Sequence, residues 1–307
     1  MMITVRGLTK DFRSFHALKG IDLTVKQGEI YGFIGHNGAG KSTAMNILAG
    51  LSRFDAGTCT VAGRDLKKTR RPGALDLGYL PEDPRFYPWM TARETLAYLG
   101  NGLRDGKLNA RVNEMLHWVG LEEASGRRIG GFSRGMKQRL GIAAALMHDP
   151  SLLILDEPSS ALDPEGRSDV IRLIRELKQM GKTVFFSTHI LSDVERVCDT
   201  VGIIADGRMV MEKSLEAMTR EHILPIFDVE TAVAPSPEMV ERLKAIHGVT
   251  QVQARPSGLS VTVKEPDIIS PVLMGFLAGE NLPVTSFALR KPTLEDIFIK
   301  EANGHAA

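Results

Sequence analysis

Only two cysteines, Cys59 and Cys198, occur in the 307 residues. Two thiols cannot supply a disulfide framework, so small secreted scaffolds are excluded and a reducing interior is the expected compartment. Long apolar runs are missing as well. The longest uncharged one, Ile268–Gly279, falls short of the roughly 20 residues needed to cross a bilayer and reads as a buried helix. The start, Met1-Met2-Ile3-Thr4-Val5-Arg6, lacks the apolar core of a signal peptide and looks like a strand. Nor is there a charge excess. Lys and Arg number 38 against 37 Asp and Glu, a formal net charge of +1, which argues against a dedicated nucleic-acid binder. There are no internal repeats and no low-complexity segments. A cytoplasmic protein is expected, with any membrane role arriving through a partner.

What is present is globular material, 43% hydrophobic and 24% charged, in a length that favours two domains over one. Short β-branched runs at Met2–Leu8, Ile21–Val25 and Glu29–Ile34 read as strands. The last leads through a glycine-rich turn into a helical pattern, Lys41–Gly50. Helical spacing dominates from about Tyr87 to Leu121, and strand signals return at Leu152–Leu155, Thr183–Ser187 and Thr200–Ile204. Alternation of this kind predicts a parallel sheet covered by helices. From Leu224 onward the pattern is strand–helix–strand–strand–helix–strand, the order of a small ferredoxin-like domain. It includes a hairpin turn at Arg255-Pro256-Ser257-Gly258 and a last helix, Thr293–Lys300, with Thr293 and Asp296 as a capping box.

The strongest local signal is Gly35-His36-Asn37-Gly38-Ala39-Gly40-Lys41-Ser42-Thr43, a match to G-x-x-x-x-G-K-[ST] between a strand and a helix. Its glycines let the backbone wrap closely around a polyphosphate, and its N–H groups and the following helix N-terminus point at the anion. Lys41 is placed to reach the β- and γ-phosphates and Ser42 to hold Mg²⁺. The His36 side chain is read as exposed or structural. The buried strand Leu152–Leu155 delivers Asp156 to its carboxyl end, as a Mg²⁺ ligand, followed by Glu157, placed to polarise an attacking water. A paired acid there favours hydrolysis over transfer. The missing Asn-Lys-x-Asp sequence favours ATP over GTP.

Between these motifs lies Phe132-Ser133-Arg134-Gly135-Met136-Lys137-Gln138-Arg139, which resembles the signature of ABC ATPases. Ser160-Ala161-Leu162-Asp163 is similar to that family's D-loop, Ser187-Thr188-His189 to its switch histidine, and Phe12 stands at its adenine-stacking aromatic. The resemblance covers about residues 2–215. It implies that Ser133 and Gly135 contact the γ-phosphate held by a second subunit, and that His189 orients the attacking water. ATP would then join two copies head to tail. Two positions depart from the family pattern: Glu82 replaces the Q-loop glutamine as a Mg²⁺ ligand and sensor, and Arg134 replaces a glycine. The tail Lys291–Phe298 resembles ATPases of bacterial drug, lipid and antibiotic-resistance exporters.

The resulting expectation is an α/β P-loop ABC ATPase core over residues 1–220, a mixed sheet with a helical subdomain near 85–140, followed by a small α+β ferredoxin-like domain over 221–307. Its cofactors would be ATP and Mg²⁺. Its partners would be a polytopic membrane permease, docking near Arg85–Glu94, and a second ATPase subunit, homodimeric or heterodimeric. That places the chain on the inner face of the membrane through its permease, driving export. The competing reading is a soluble ABC ATPase without a transport role. A P-loop kinase is disfavoured by Glu157, the signature and the lack of a second-substrate lid.

Overall fold

The computed structural model describes residues 1–13, 15–69, 75–103, 106–221, 225–280, 282–290 and 294. The chain divides into two compact units, Met1–Leu215 and Glu216–Ala307.

The first unit opens with strands β1 (Ile3–Phe12), β2 (Phe15–Val25) and β3 (Ile30–Ile34), then helix α1 (Lys41–Leu48). Strands β4 (Ala56–Val61), β5 (Arg64–Asp65) and β6 (Leu77–Leu80) follow, then α2 (Ala92–Leu99), α3 (Lys107–Trp118) and α4 (Arg134–Leu146). Next come β7 (Leu152–Leu155), α5 (Pro164–Gln179), β8 (Thr183–Thr188) and α6 (Leu191–Val197). Strands β9 (Thr200–Ala205) and β10 (Arg208–Ser214) close the unit, and α7 (Leu215–Glu221) leads out of it.

Two sheets result. A six-stranded sheet has the order β10-β9-β3-β8-β7-β6, and a four-stranded antiparallel sheet the order β2-β1-β4-β5. Strands β3, β7 and β8 are buried at every position, as expected of parallel strands covered on both faces. Tyr31 and Phe185 stack at 5.2 Å between ring centroids, and Phe33 meets Phe185 at 5.4 Å. Burying each such ring contributes about 1.5–3 kcal/mol. One core joins Val5 and Leu23 of the antiparallel sheet, Ala44 and Leu48 of α1, and Phe33 and Phe185 of the large sheet. That packing fixes α1, and the loop before it, against the centre of the sheet.

The antiparallel edge strand β10 makes the large sheet mixed. Strands β4 and β10 have no counterpart in the sequence pattern. β4 buries only Cys59 and Val61, β10 buries only Met211, and Thr, Arg, Glu and Lys interrupt them, so no long apolar run marks them. The helices begin where the sequence supplies caps. Thr91 and Glu94 form a capping box for α2, Ser133 caps α4, and Asp163 with Pro164 starts α5.

The second unit contains β11 (Ile226–Thr231), α8 (Pro237–Lys244), β12 (Val249–Arg255), β13 (Gly258–Val263), α9 (Pro266–Gly279) and β14 (Val284–Leu289). Its antiparallel sheet has the order β12-β13-β11-β14. Met239 and Leu243 of α8 and Leu273 and Leu277 of α9 pack with Phe227, Val229 and Val261 on one face. This is the ferredoxin-like arrangement that the element order implies. On β11, Asp228 accepts hydrogen bonds from Arg290 at 2.6 and 2.7 Å. The guanidinium holds its carboxyl down at about 2. The last helix expected at Thr293–Lys300, with its capping box and the exporter-like tail, lies outside the described residues apart from Leu294.

Candidate functional site

Four chemistry-bearing segments leave the same edge of the large sheet. Strands β3, β8, β7 and β6 run parallel, so their carboxyl ends align, and open α/β sheets bind ligands beyond that edge. Past these ends come the loop Gly35–Gly40, then Glu82, the Asp156–Glu157 pair and His189. The loop can turn because Gly38 and Gly40 adopt φ values of 84° and 107°, which glycine enters without a side-chain clash. A Cβ on Gly40 would lie 2.8 Å from the Ala17 carbonyl oxygen. On Gly38 it would meet no described atom within 4 Å, so that side of the loop is open to a ligand.

Lys41 turns back into this loop. Its ammonium donates to the Gly35 carbonyl at 2.7 Å and the His36 carbonyl at 3.3 Å. It also pairs with Glu157 Oε1 at 3.1 Å, both side chains being 6% exposed. No described group donates a hydrogen bond to that buried Oε1, so the pairing is one of charge and leaves an acceptor direction unused. The other oxygen of Glu157 lies 2.9 Å from His189 Nδ1. Glu157 has a φ of 46°, the left-handed region that a non-glycine residue enters only under constraint.

Asp156 is buried, and burial pushes its carboxyl above the usual range, against hydrogen bonds from Ser187 and Ser42 that lower it. Ser42 Oγ reaches Asp156 Oδ1 at 3.5 Å, and Ser187 Oγ donates to the same oxygen at 2.6 Å. The chain beyond Glu157 is anchored through Asp193, which accepts from Ser159 Oγ at 2.6 Å and from Arg167 Nε at 2.7 Å.

A cavity of about 380 Å³ gathers Asn37, Gly38, Gly40, Lys41, Ser42, Thr43, Glu82, Glu157, Ser160 and His189 with Phe15. Of the other loop residues, Ala39 is buried, and the His36 ring faces Asp206 at 3.6 Å. Ser133 and Gly135 do not join this cavity. With Arg134 they line a second one of about 460 Å³, beside Ala161, Leu162 and Asp163. The helix they open begins at Arg134, earlier than the apolar run from Lys137 indicates.

Phe12 is not on the lining. It is paired across the strands with Phe15, and Lys10 sits over its ring, 5.1 Å from the centroid. Phe15, 60% exposed, takes the place in the cavity that the sequence assigned to Phe12. Phe15→Ala is therefore expected to weaken ATP binding about 5- to 100-fold, the range of one lost base–aromatic stack, and Phe12→Ala to change it less than about twofold. Calorimetric titration with ATP checks the pair, and the reverse ranking would return the role to Phe12. Ser160 and Ser187 were named by sequence only as members of motifs, without a role of their own, and Phe15 was not named. Ser187 is the penultimate residue of β8, and His189 follows the end of that strand.

Comparison with known proteins gives a consistent picture. Residues 18–160 match the family described as ABC transporter, and residues 217–302 the family described as ATP-binding protein DrrA1-3-like, C-terminal domain. The chain is 39% identical over 304 residues to the uncharacterized ABC transporter ATP-binding protein YxlF of Bacillus subtilis, covering 97% of this chain and 99% of that one. The chain belongs to the ABC transporter ATP-binding proteins. It is also 32% identical to the Nod factor export ATP-binding protein I of Burkholderia lata, over 97% of this chain and 96% of that one. Among solved structures, the dimeric post-hydrolysis state of the ATP-binding cassette MJ0796 bound to ADP and Pi superposes with a TM-score of 0.64 at 26% identity. It spans 70% of this chain and 99% of its own. As an ABC ATPase this protein binds ATP and hydrolyses it. Among the described residues no helix is long and apolar enough to cross a membrane.

Proposed function

We propose that this ATPase powers export of a substrate through a separate membrane permease, with two ATPase subunits closing on ATP in each cycle. The observation that carries this reading is the split between the two cavities. The phosphate loop, Glu82, Glu157 and His189 line one, while the signature residues Ser133 and Gly135 line another with no lining residue in common. A capped helix N-terminus attracts phosphate, so each signature is available to the nucleotide of a second subunit. The dimeric cassette among the similar structures supports the same arrangement.

Within one subunit, Lys41 binds the β- and γ-phosphates, and Phe15 covers the base. Glu157 takes a proton from the attacking water through its unused Oε1 direction, and His189 holds the other carboxylate oxygen in place. Ser42, Asp156 and Glu82 would hold Mg²⁺, since all three offer oxygen, the donor such a cation takes. Among the described residues no group of three His, Cys, Asp or Glu side chains could hold a metal, so phosphate oxygens would complete the shell. When bound, the cation neutralises charge on the transferring phosphoryl group.

Two surfaces support a permease partner. Tyr87 and Trp89 are exposed, with ring centroids 5.0 Å apart, in the segment Arg85–Glu94. A cavity of about 320 Å³ lined by Pro81, Pro84, Phe86 and Leu99 lies alongside. Apolar rings left in water mark protein contacts. The Nod factor export relative favours export over import.

Co-expression with the membrane protein of the adjacent reading frame tests the proposal. The two proteins should co-purify, and vesicles holding both should accumulate cargo only with ATP. Recovery of ribosomes without any membrane protein would overturn it in favour of a soluble role.

A further inference from the structure

We propose that Ser187 is the positioning residue that sets the two acids of the ATPase site relative to each other. The inference rests on the reading of Asp156 as the cation-side acid and Glu157 as the water-side acid. Ser187 is 0% exposed. Its Oγ donates its proton to Asp156 Oδ1 at 2.6 Å and accepts the backbone N–H of Glu157 at 2.9 Å. A hydroxyl has one proton to give and lone pairs to receive with. The carboxylate can only accept and the amide can only donate, so the direction of both bonds is settled.

The register shows why a side chain is needed there. The β7–β8 ladder ends at Leu155 and Phe186, so the Glu157 amide has no strand partner on β8. Ser187 is still in register with Phe33 of β3, the strand that runs into the phosphate loop. Its hydroxyl thus continues the sheet by one step where the backbone can no longer do so. On the opposite side, the Asp156 amide donates to the Leu80 carbonyl of β6 at 2.8 Å. The Asp156–Glu157 turn is tied at both of its amides. Those ties hold Glu157 in the left-handed region, at a φ of 46°, which a non-glycine residue enters only under constraint. In that conformation Glu157 faces Lys41 and His189, while Asp156 faces Ser42.

Alanine at 187 leaves the Glu157 amide and one Asp156 oxygen without this partner and frees the turn to relax. Misplacement of a reacting group by about 1 Å can cost on the order of 100-fold in rate. The ATP contacts made by Lys41 and Phe15 would be untouched. Threonine keeps the hydroxyl, and cysteine keeps the volume with only a weak donor.

Ser187→Ala, Ser187→Cys and Ser187→Thr would be made in the full chain, with Glu157→Gln alongside. The readouts are kcat, KM and binding of a fluorescent ATP analogue without Mg²⁺. Ser187→Ala and Ser187→Cys should lose about 10- to 100-fold in kcat with KM and Mg²⁺-free affinity within about threefold, and Ser187→Thr should recover to within about threefold of the parent. Full kcat in the alanine or cysteine variant, with Glu157→Gln inactive, overturns the role of Ser187. Equal loss in all three Ser187 variants, with binding lost in parallel, does the same by showing a merely structural site. An active Glu157→Gln variant instead sinks the reading of the acids themselves. Should the alanine variant fail to fold, the isosteric cysteine variant carries the test.

Discussion

Replacing Glu157 by glutamine is expected to lower kcat about 100- to 10,000-fold, the range of general base catalysis, without weakening ATP binding. The amide keeps the shape of the side chain, its left-handed backbone and an oxygen for His189, but it can no longer take a proton. Binding should in fact tighten. The Glu157 carboxylate lies 3.1 Å from the Lys41 ammonium with both groups buried, so the ammonium that should meet the γ-phosphate is already engaged by an anion. The incoming phosphate must displace that partner and also sit beside its charge. Removing the charge takes away both obstacles. Phosphate release measured beside titration with a fluorescent ATP analogue tests the two halves separately. Turnover within about tenfold of the parent would refute the assignment of Glu157 as the base, and weaker ATP binding would refute the competition with Lys41.

Lys41→Ala should have the largest effect on binding and a measurable one on the fold. Truncating one partner of a buried charge pair costs about 2–5 kcal/mol, which corresponds to a loss of ATP affinity of about 30- to 4,000-fold. The nucleotide-free protein should also lose stability, by about 3 kcal/mol, because Glu157 becomes an uncompensated buried charge. The double variant Lys41→Ala with Glu157→Gln should regain much of that stability while still failing to bind ATP, a non-additive pair. Thermal unfolding of the four proteins without nucleotide checks this. Additive losses in Tm would mean that the pair contributes little to holding the empty site together.

Much of the site was legible because its chemistry is local. Gly35 to Thr43 form one loop between a strand and a helix, and a loop's backbone conformation depends on its own glycines. Leu152–Leu155 could be read as a buried strand because all four residues are apolar, and the acids at its end followed from strand geometry. Ser133 was legible as a helix start because capping acts over three residues. The illegible parts depend on neighbours distant in the chain. Strands β4 and β10 alternate weakly and are defined by the strands they pair with. Phe12 and Phe15 are both exposed aromatics paired across β1 and β2, and only the placement of those strands in the folded unit decides which ring lines the cavity of the phosphate loop. Ser187 is legible only as part of the segment that ends in His189, and its bonds to Asp156 and Glu157 appear only when β8 is set beside β7.

The sequence by itself determined the family, the ATPase chemistry and the residues of the phosphate loop, since these rest on short contiguous motifs whose backbone geometry and charge are set within a few residues. Only the tertiary structure decided that Phe15 lines the cavity beside the phosphate loop, that the signature lines a separate one, and that Lys41 pairs with Glu157. The physical reason is that hydrogen bonds and ion pairs act over about 3 Å, and groups as far apart in the chain as Lys41, Glu157 and Ser187 come within that range only when β3, β7 and β8 lie side by side in the sheet.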